Sequence, residues 1–143
     1  MDQLYQRPGV LFRRCRQRIG ILYLRNAVDV DLTPQQFTAL HAINEFPWIE
    51  QTTLCNIIML DRSTVATQLA RLEDKGFVTR KSASDNPRKN LIKLTPAGRA
   101  MLARVTPILN RVEEQLLAPL TSGEQAMLVD LMSRVATAQN GDT

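Results

Sequence analysis

The 143-residue chain has the size of one ordinary domain, large enough to bury a core without metals or disulfides. Its 44% hydrophobic and 22% charged residues are typical of a globular protein and exclude a disordered one. No apolar run approaches the roughly 18 residues of a membrane span, and the first residues lack a secretory signal pattern. Two lone cysteines, Cys15 and Cys55, make neither a disulfide framework nor a zinc site. We therefore expect a cytoplasmic protein that makes no membrane contact.

The net charge of +4 is concentrated in two segments. Residues 58–94 carry eight Lys or Arg against four acids, and residues 1–31 carry six Arg against three Asp. Residues 32–57 and 95–143 sum to −2 and −1. Because a focused basic region attracts phosphates, this distribution favours a polyanionic partner.

Helix start signals divide the first part of the chain. Pro8 predicts the start of a first helix, since proline fits the first helical position. Thr33-Pro34 followed by Gln36 supplies an N-cap, a first-turn proline and a capping box. The sequence therefore predicts a second helix that begins at residue 34 and ends near Pro47.

A short helix and a longer one come next and form a helix-turn-helix pair. The first covers about residues 52–58, and Met59-Leu60 leads into a helix from Asp61 to Lys75 that ends at Gly76. The buried side of the longer helix repeats at i, i+4 and i+7 and consists of Val65, Leu69 and Leu72. The opposite, polar face consists of Arg62, Ser63, Thr64, Thr67, Gln68 and Arg71.

The hydrophobic period then changes to that of strands. Residues 77–81 and 91–94 predict two strands, and the turn residues 82–87 between them predict a hairpin with a polar tip. Arg88 and Lys89 follow the tip, where they can reach a phosphate or a groove. The sequence therefore predicts a basic wing directly after the polar-faced helix.

Two apolar helices complete the chain. Thr95-Pro96 begins the first, whose apolar stripe over residues 101–120 exceeds what one monomer usually needs, so we expect it to pair with a partner chain. Pro107 lies inside this helix and predicts a kink or a split. The capping box from Thr121 to Glu124 predicts the start of the last helix.

The helix-turn-helix pattern indicates DNA binding. In such a pair the second helix enters the major groove, where arginine pairs with guanine, glutamine with adenine, and hydroxyls with either. Thr52 and Thr53, at the start of the shorter helix, can offer hydroxyls and backbone N–H groups to a phosphate. A polar helix face is more often simply solvated, but this one is nearly free of acids until Glu73 and precedes a basic hairpin. We therefore interpret the polar face as a base-reading surface.

Three segments together resemble the MarR family of bacterial regulators. They are Leu60 to Val65, Leu69 to Gly76, and Leu94 to Gly98. The similarity extends from about Leu11 to Val135. By residue match, the recognition-helix positions are Arg62, Ser63, Thr64 and Gln68. Arg88 matches the wing arginine of the family's Asp-x-Arg motif, whereas Asn86-Pro87 replaces its acidic residue, so the usual wing salt bridge is not expected.

The resemblance implies both a fold and an assembly. The fold class is mainly α with a small β-hairpin wing, in a single domain 1–143. Residues 33–95 form the winged helix-turn-helix, and residues 1–32 and 96–138 form dimerisation helices. The expected protein is a homodimeric repressor that binds a palindromic double-stranded DNA operator and needs no cofactor or metal.

The resemblance also implies a small effector, commonly an aromatic anion, and is strongest to members that govern aromatic-acid catabolism. Candidate effector-binding residues are Arg18, Tyr23, His41 and Trp48. A lone histidine or aromatic side chain is more often structural. Arg18 shares the side of the first helix that holds Leu11 and Cys15, and pointing inward it would need a bound carboxylate, Glu45 or Asp29 as partner.

A cysteine-based peroxide sensor on the same fold is one alternative. Cys15 lies among four arginines, which favour a thiolate where the side chain is exposed. It also shares the apolar side of the helix with Ile19 and Leu22, where cysteine is usually inert filler, and we expect filler.

A winged helix that serves purely as a protein-interaction adaptor is the other alternative, and it predicts no salt-dependent DNA binding. An enzyme is not expected. One histidine, no paired carboxylates on an apolar face and no glycine-rich phosphate loop leave no assembled catalytic chemistry.

Overall fold

The computed structural model describes residues 2–138; Met1 and residues 139–143, the ends of the predicted single domain, lie outside the described residues. The elements in chain order are α1 (Asp2–Tyr5), α2 (Pro8–Asn26), α3 (Pro34–Glu45), β1 (Ile49–Glu50), α4 (Gln51–Ile58), α5 (Arg62–Asp74), β2 (Val78–Ser82), β3 (Asn90–Leu94), α6 (Pro96–Leu117) and α7 (Ser122–Thr137). The predicted class, mainly α with a small β-hairpin, is confirmed. Among the described residues, no helix is long and apolar enough to cross a membrane.

The predicted starts of α3, α5, α6 and α7 are confirmed by side-chain capping bonds, while α2 starts at Pro8 as predicted and α4 starts one residue early, both without a side-chain cap. At α3 the backbone N–H of Gln36 donates to the Thr33 hydroxyl and the Thr33 N–H donates to Gln36 Oε1, each at 3.1 Å. Thr121 and Glu124 make the same reciprocal pair at α7. Asp61 and Thr95 cap α5 and α6 with their side chains. Each side-chain cap satisfies a backbone donor that the first turn of a helix leaves free.

The sheet is three-stranded and antiparallel, in the order β1-β3-β2. The predicted hairpin forms with Val78 opposite Leu94 and Ser82 opposite Asn90, so its first strand starts and ends one residue later than expected. The two-residue strand β1 pairs Ile49 with Ile92 and was not predicted. A strand this short lacks the alternation from which strands are recognised.

One apolar core joins α3, α4, α5 and the sheet, and α6 packs against α2 and α3. The predicted stripe of α5 is buried in it, with Val65, Leu69 and Leu72 at most 1% exposed. On α6, Leu102, Val105 and Val112 are also buried. The expectation that the 101–120 stripe is spare surface for a partner chain is therefore wrong for its inner residues, which this chain covers itself.

The first half of α2 differs from expectation because its side chains are exposed and are not part of the core. Burial on α2 starts only in its second half, with Leu22 and Tyr23. Leu11, Cys15 and Arg18 are all exposed. The inward Arg18 and the buried filler role of Cys15 are therefore wrong, since no core lies beside this half of the helix in the described chain.

Pro107 does not split α6, which continues from Pro96 to Leu117. Proline has no N–H to donate to the carbonyl one turn earlier, and the cost is normally about 3 kcal/mol. The hydroxyl of the neighbouring Thr106 donates to the carbonyl of Leu102 at 2.7 Å. That bond does not replace the one missing at the Ala103 carbonyl, and the buried side chains of Val105 and Val112 hold the helix in the core on both sides of the proline.

Candidate nucleic-acid interface

The turn between α4 and α5 sets the angle of the polar-faced helix. Met59 ends α4 in the left-handed conformation, with φ of 56°, and the Leu60 N–H donates to the carbonyl of Cys55 at 3.2 Å. Asp61 is the N-cap that begins α5. With Val65, Leu69 and Leu72 in the core, the opposite face of α5 points away from the protein.

Asp61 holds the first turn of α5 through Thr64. The Thr64 N–H donates to Oδ2 of Asp61 at 2.9 Å, and the Thr64 hydroxyl donates to Oδ1 at 2.5 Å. Bonds to the Thr64 side chain first, and to its backbone second, hold the pKa of the Asp61 carboxyl below its usual value. Because the Thr64 hydroxyl already donates to Asp61, it can only accept a hydrogen bond from a ligand.

The other residues of the polar face differ in whether their side-chain donors already have a partner within the chain. Among residues 2–138, the side chains of Arg62, Ser63 and Arg71 make no hydrogen bond or ion pair and are exposed. The Thr67 hydroxyl donates to the carbonyl of Ser63 at 3.0 Å. Apart from Gln68, the donors left free on this face are thus two guanidinium groups and one hydroxyl.

Gln68 is half-buried and has an internal partner. Its Oε1 accepts a hydrogen bond from Nε2 of Gln36 at 3.0 Å, so its amide is held against α3. Gln36 is the capping-box residue of α3 and is 2% exposed. No local pattern indicates this bond, because the two residues are 32 positions apart in the chain.

A basic cleft brings predicted residues from three elements together. It has a volume of about 180 Å³ and is lined by Glu50, Gln51, Thr52, Cys55, Arg62, Arg88, Lys89 and Asn90. Arg62 comes from α5, Thr52 from the first turn of α4, and Arg88 and Lys89 from the wing. Glu50, the N-cap of α4, makes no capping bond with its side chain and instead accepts from the Thr52 hydroxyl at 2.9 Å. The first N–H groups of α4 thus point outward without a side-chain cap, beside three cations.

Asn86 orders the tip of the wing in place of the expected acid. Its Oδ1 accepts from the backbone N–H of Arg88 at 2.9 Å, and its carbonyl accepts from the N–H of Lys89 at 3.1 Å. The Ala83 N–H closes the loop on the Lys89 carbonyl at 2.9 Å. The side chain of Arg88 makes no ion pair within the described residues, so its charge is available to a ligand.

The base of the wing is fixed to the start of α6. Thr95 donates through its N–H to the carbonyl of Phe77 and through its hydroxyl to the carbonyl of Gly76, at 3.0 and 2.5 Å. Gly98 packs so closely there that a Cβ on it would lie 2.0 Å from the Phe77 carbonyl oxygen. Arg80 pairs with Glu73 of α5 at 2.5 Å on the other side of the turn. The end of α5, the base of the wing and the start of α6 are therefore joined by direct contacts.

The four predicted effector residues lie in different surroundings. Tyr23 is buried, its hydroxyl donates to the Leu32 carbonyl, and burial raises its pKa. His41 is exposed on α3 and stacks on Phe37, with ring centroids 6.0 Å apart. Trp48, with φ of 61°, lies under two wing lysines, with the Nζ of Lys81 3.9 Å and that of Lys93 5.5 Å from its ring centroid. Arg18 is exposed on α2. The structure does not assemble these residues into one site.

A different cleft lies between α2, α3 and α4. It has a volume of about 270 Å³ and is lined by Arg16, Gln35, Thr38, Ile58 and Leu60. Its cation, two polar groups and two apolar side chains suit a small amphipathic anion. The sequence did not single these residues out, because each is ordinary in its own segment and only the packing of three helices joins them. Among residues 2–138, no cluster of three or more His, Cys, Asp or Glu residues could hold a metal ion.

Comparison with known proteins places this arrangement in a family. The sequence profile of the MarR family matches residues 32–90. The chain is 34% identical over 105 residues to the transcriptional regulator HosA of Escherichia coli O157:H7, which covers 73% of this chain and 78% of HosA. It is 25% identical over 130 residues to the transcriptional repressor NicR of Pseudomonas putida, which covers 91% of this chain and 82% of NicR.

Solved structures agree with these relatives. The regulator PcaV of Streptomyces coelicolor, in complex with its natural ligand, aligns with a TM-score of 0.87 at 33% identity and covers 94% of this chain and 95% of its own. A cysteine-to-serine mutant of Escherichia coli MarR complexed with operator DNA aligns with a TM-score of 0.82 at 27% identity, covering 89% and 91%. BpsR of Bordetella bronchiseptica, whose DNA binding is regulated by 6-hydroxynicotinic acid, aligns at 0.89, covering 94% and 96%; at 24% identity it shows the fold alone.

Proposed function

The chain belongs to the MarR family of DNA-binding transcriptional regulators, and from this premise we propose that it is a homodimeric repressor that reads a palindromic operator with α5 and the wing. Its relatives are regulators, and it is not an enzyme. The observation that carries the proposal is the basic cleft, where Arg62, Arg88 and Lys89 meet the uncapped first turn of α4.

The cleft and the polar face of α5 divide the work of binding. Arg62, with its five donors free, reads a guanine edge in the major groove, while Ser63, Thr64, Thr67 and Arg71 lie along the same face. The Thr53 hydroxyl and the backbone N–H groups at the start of α4, that of Thr52 included, take a phosphate, because the Thr52 hydroxyl already donates to Glu50. Arg88 and Lys89 extend from the wing to the neighbouring backbone or groove. The reading head proposed here is residues 33–95.

Binding of labelled duplexes tests this assignment. Arg62→Ala is expected to lower affinity for the preferred duplex by about 1–3 kcal/mol and to relax preference at one base pair. Arg111→Ala, an exposed arginine on α6 outside the cleft, is the matched control and should bind like wild type. Equal loss on preferred and random duplexes for Arg62→Ala would remove its base-reading role.

The proposed dimer uses the terminal helices, residues 1–32 and 96–138. Within the described chain α7 buries none of its side chains, and Met127, Leu131 and Val135 repeat along one exposed side of it. Leu11, Phe12 and Leu24 add exposed apolar surface on α2. Surface of this kind on helices at both ends of a chain favours a second copy as its cover.

The effector we propose is a small aromatic carboxylate, bound in the cleft between α2, α3 and α4. Arg16 is the cation there, and Gln35 supplies an amide donor. The Thr38 hydroxyl donates to the Pro34 carbonyl and can accept from a ligand, and His41 lies one turn beyond Thr38 on α3. Two observations support this choice: PcaV carries a natural ligand on this architecture, and the DNA binding of BpsR, on the same fold, is regulated by an aromatic acid.

A thermal-shift screen of aromatic acids tests the effector proposal, because a ligand that binds only the folded state raises its unfolding midpoint. Arg16→Ala is expected to abolish the shift. Arg18→Ala, two residues away on the same helix and not part of the cleft, is expected to keep it. If Arg18→Ala loses the shift and Arg16→Ala keeps it, the effector binds at Arg18 and not in this cleft, and the proposed site is wrong.

A peroxide sensor is the second candidate, and the exposure of Cys15 is the observation that favours it. Titration of the DNA complex with peroxide would show release that disappears in Cys15→Ser and persists in Cys55→Ser, since Cys55 is buried. Release that is equal in all three proteins removes this candidate.

A further inference from the structure

Gln36 is the one buried amide or charged side chain among the residues that the structure describes. It lies between the start of α3 and the recognition helix α5 and makes one hydrogen bond to each. An amide in the core must satisfy both its donor and its acceptor there, because an unpaired buried polar group is costly.

The partners of Gln36 fix which way round its amide lies. The oxygen and nitrogen of an amide are often interchangeable in a structure, and the hydrogen-bond network has to decide. Here the backbone N–H of Thr33 donates to one end, and a backbone N–H has no other role, so that end is the oxygen Oε1. The other end is therefore the nitrogen Nε2, which must donate, and its partner on Gln68 must be the oxygen Oε1.

The orientation of Gln68 follows from that of Gln36. With Oε1 turned inward, Nε2 is the outer atom of the Gln68 amide. The Nε2 of Gln68 makes no hydrogen bond with any described residue. It is also not a buried unpaired atom, because the one such side-chain nitrogen or oxygen among the described residues is Oε1 of Gln51. The Nε2 of Gln68 is therefore open to solvent on the polar face of α5.

We propose that Gln36 is a specificity-positioning residue that makes Gln68 read a hydrogen-bond acceptor in the major groove through Nε2. The inference rests on the proposed DNA-reading function of α5. Guanine N7 and O6, adenine N7 and thymine O4 are acceptors that Nε2 can use, whereas the amino groups of adenine and cytosine are donors. The two-bond pairing of glutamine with adenine, expected from the residue type alone, needs Oε1 at the base edge, and Gln36 holds that atom inside.

Analogue duplexes test which atom of Gln68 reads the DNA. Wild-type protein first selects a preferred duplex from a randomised pool, and the base pair at which Gln68→Met loses discrimination identifies the contact. Every base pair has one amino donor in the major groove, adenine N6 or cytosine N4. Removing it, with purine for adenine or 2-pyrimidinone for cytosine, should leave wild-type affinity within about two-fold. A loss as large as that of Gln68→Met would overturn the proposal.

A double-mutant cycle tests the role of Gln36 itself. In Gln36→Met the Gln68 amide can rotate, so discrimination at that one pair should fall from roughly 5- to 150-fold to about two-fold, with the other pairs unchanged. The double variant with Gln68→Met should discriminate no less than Gln68→Met alone, because the two residues act as a unit. Thr33→Ala removes the hydroxyl cap and keeps the Thr33 N–H, so it should lower stability and leave base preference intact.

The outcomes separate the two claims. Wild-type discrimination retained in a folded Gln36→Met, or lost equally in Thr33→Ala, would contradict the positioning role. If Gln36→Met does not fold, the analogue duplexes still decide, since they need only wild type and Gln68→Met. If wild-type protein selects no sequence at all, the proposed function fails and this inference with it.

Discussion

Arg88 lies on the wing with its backbone N–H hydrogen-bonded and its side chain without an ion pair among residues 2–138. Asn86 accepts from the Arg88 N–H, and the guanidinium has no ion-pair partner among residues 2–138. A cation presented in this way contributes mainly through phosphate, because release of counterions does not depend on sequence. The wing salt bridge that Asn86-Pro87 puts out of reach is thus replaced by a neutral side-chain bond to the backbone.

Arg88→Ala should weaken binding to preferred and random duplexes alike and reduce the slope of log affinity against log salt by about 1. The slope is measured by fluorescence anisotropy over a salt series. A loss confined to one preferred base pair, with the slope unchanged, would show instead that Arg88 reads a base.

Asn86→Ala should weaken DNA binding to a smaller extent than Arg88→Ala, because the loop loses the bond that sets the direction of Arg88 while the charge remains. Ser84→Ala, in the same loop and without a side-chain hydrogen bond among the described residues, is the control. Equal affinity of the Asn86→Ala and Ser84→Ala proteins would remove the ordering role of Asn86.

Helix α5 depends on Asp61 at its start. The folded-state pKa of Asp61 is lowered, so the stabilisation by its carboxylate is fully present above the ordinary aspartate pKa and is lost as pH falls through the lower, folded value. Asp61→Asn keeps an acceptor that does not titrate. The difference in unfolding midpoint between the two proteins should therefore shrink between about pH 5 and pH 2. A difference that stays constant over that range would show that the carboxylate is not the cap.

The junction of β2 and α6 depends on Gly98. In Gly98→Ala the new Cβ meets the Phe77 carbonyl oxygen at 2.0 Å, and that atom is backbone that also accepts from Thr95. We expect a loss of roughly 1–3 kcal/mol or more in the free energy of unfolding, measured by denaturant titration. Gly123→Ala has nothing within 4 Å of its Cβ and should lie within about 1 kcal/mol of wild type. Similar values for the two variants would contradict the close contact.

Elements with local signals were predictable from the sequence, and elements made by packing were not. Capping boxes at Thr33 and Thr121 and the stop at Gly76 depend on near neighbours, so they identify the helices directly. The strand β1 forms because Ile49 pairs with Ile92 of β3, which is distant in the sequence. The same holds for the bond between Gln36 and Gln68, which residue types on α5 alone do not reveal. The burial of the first half of α2 was predicted wrongly, because an apolar side of a helix indicates that it is covered but not whether the same chain or a partner chain covers it.

At the scale of the whole molecule, the exposed apolar side of α7 predicts a dimer. Leu131→Asp with Val135→Asp should give a monomeric mass by light scattering at micromolar concentration and weaken operator binding, because two heads then bind separately. Ser133→Asp, on the opposite side of α7, should stay dimeric. A monomeric mass for wild-type protein would remove the dimer proposal.

The central claim is that the cleft and α5 form one sequence-reading, phosphate-binding head. It is tested most directly by measuring wild-type affinity for a selected and a scrambled duplex at about 50 and 200 mM salt. With 6–10 phosphate contacts we expect a fall of roughly 10³–10⁵ in affinity, on a selected site whose palindromic halves lie about one helical turn apart. Affinity that is independent of salt and equal on both duplexes would contradict the account.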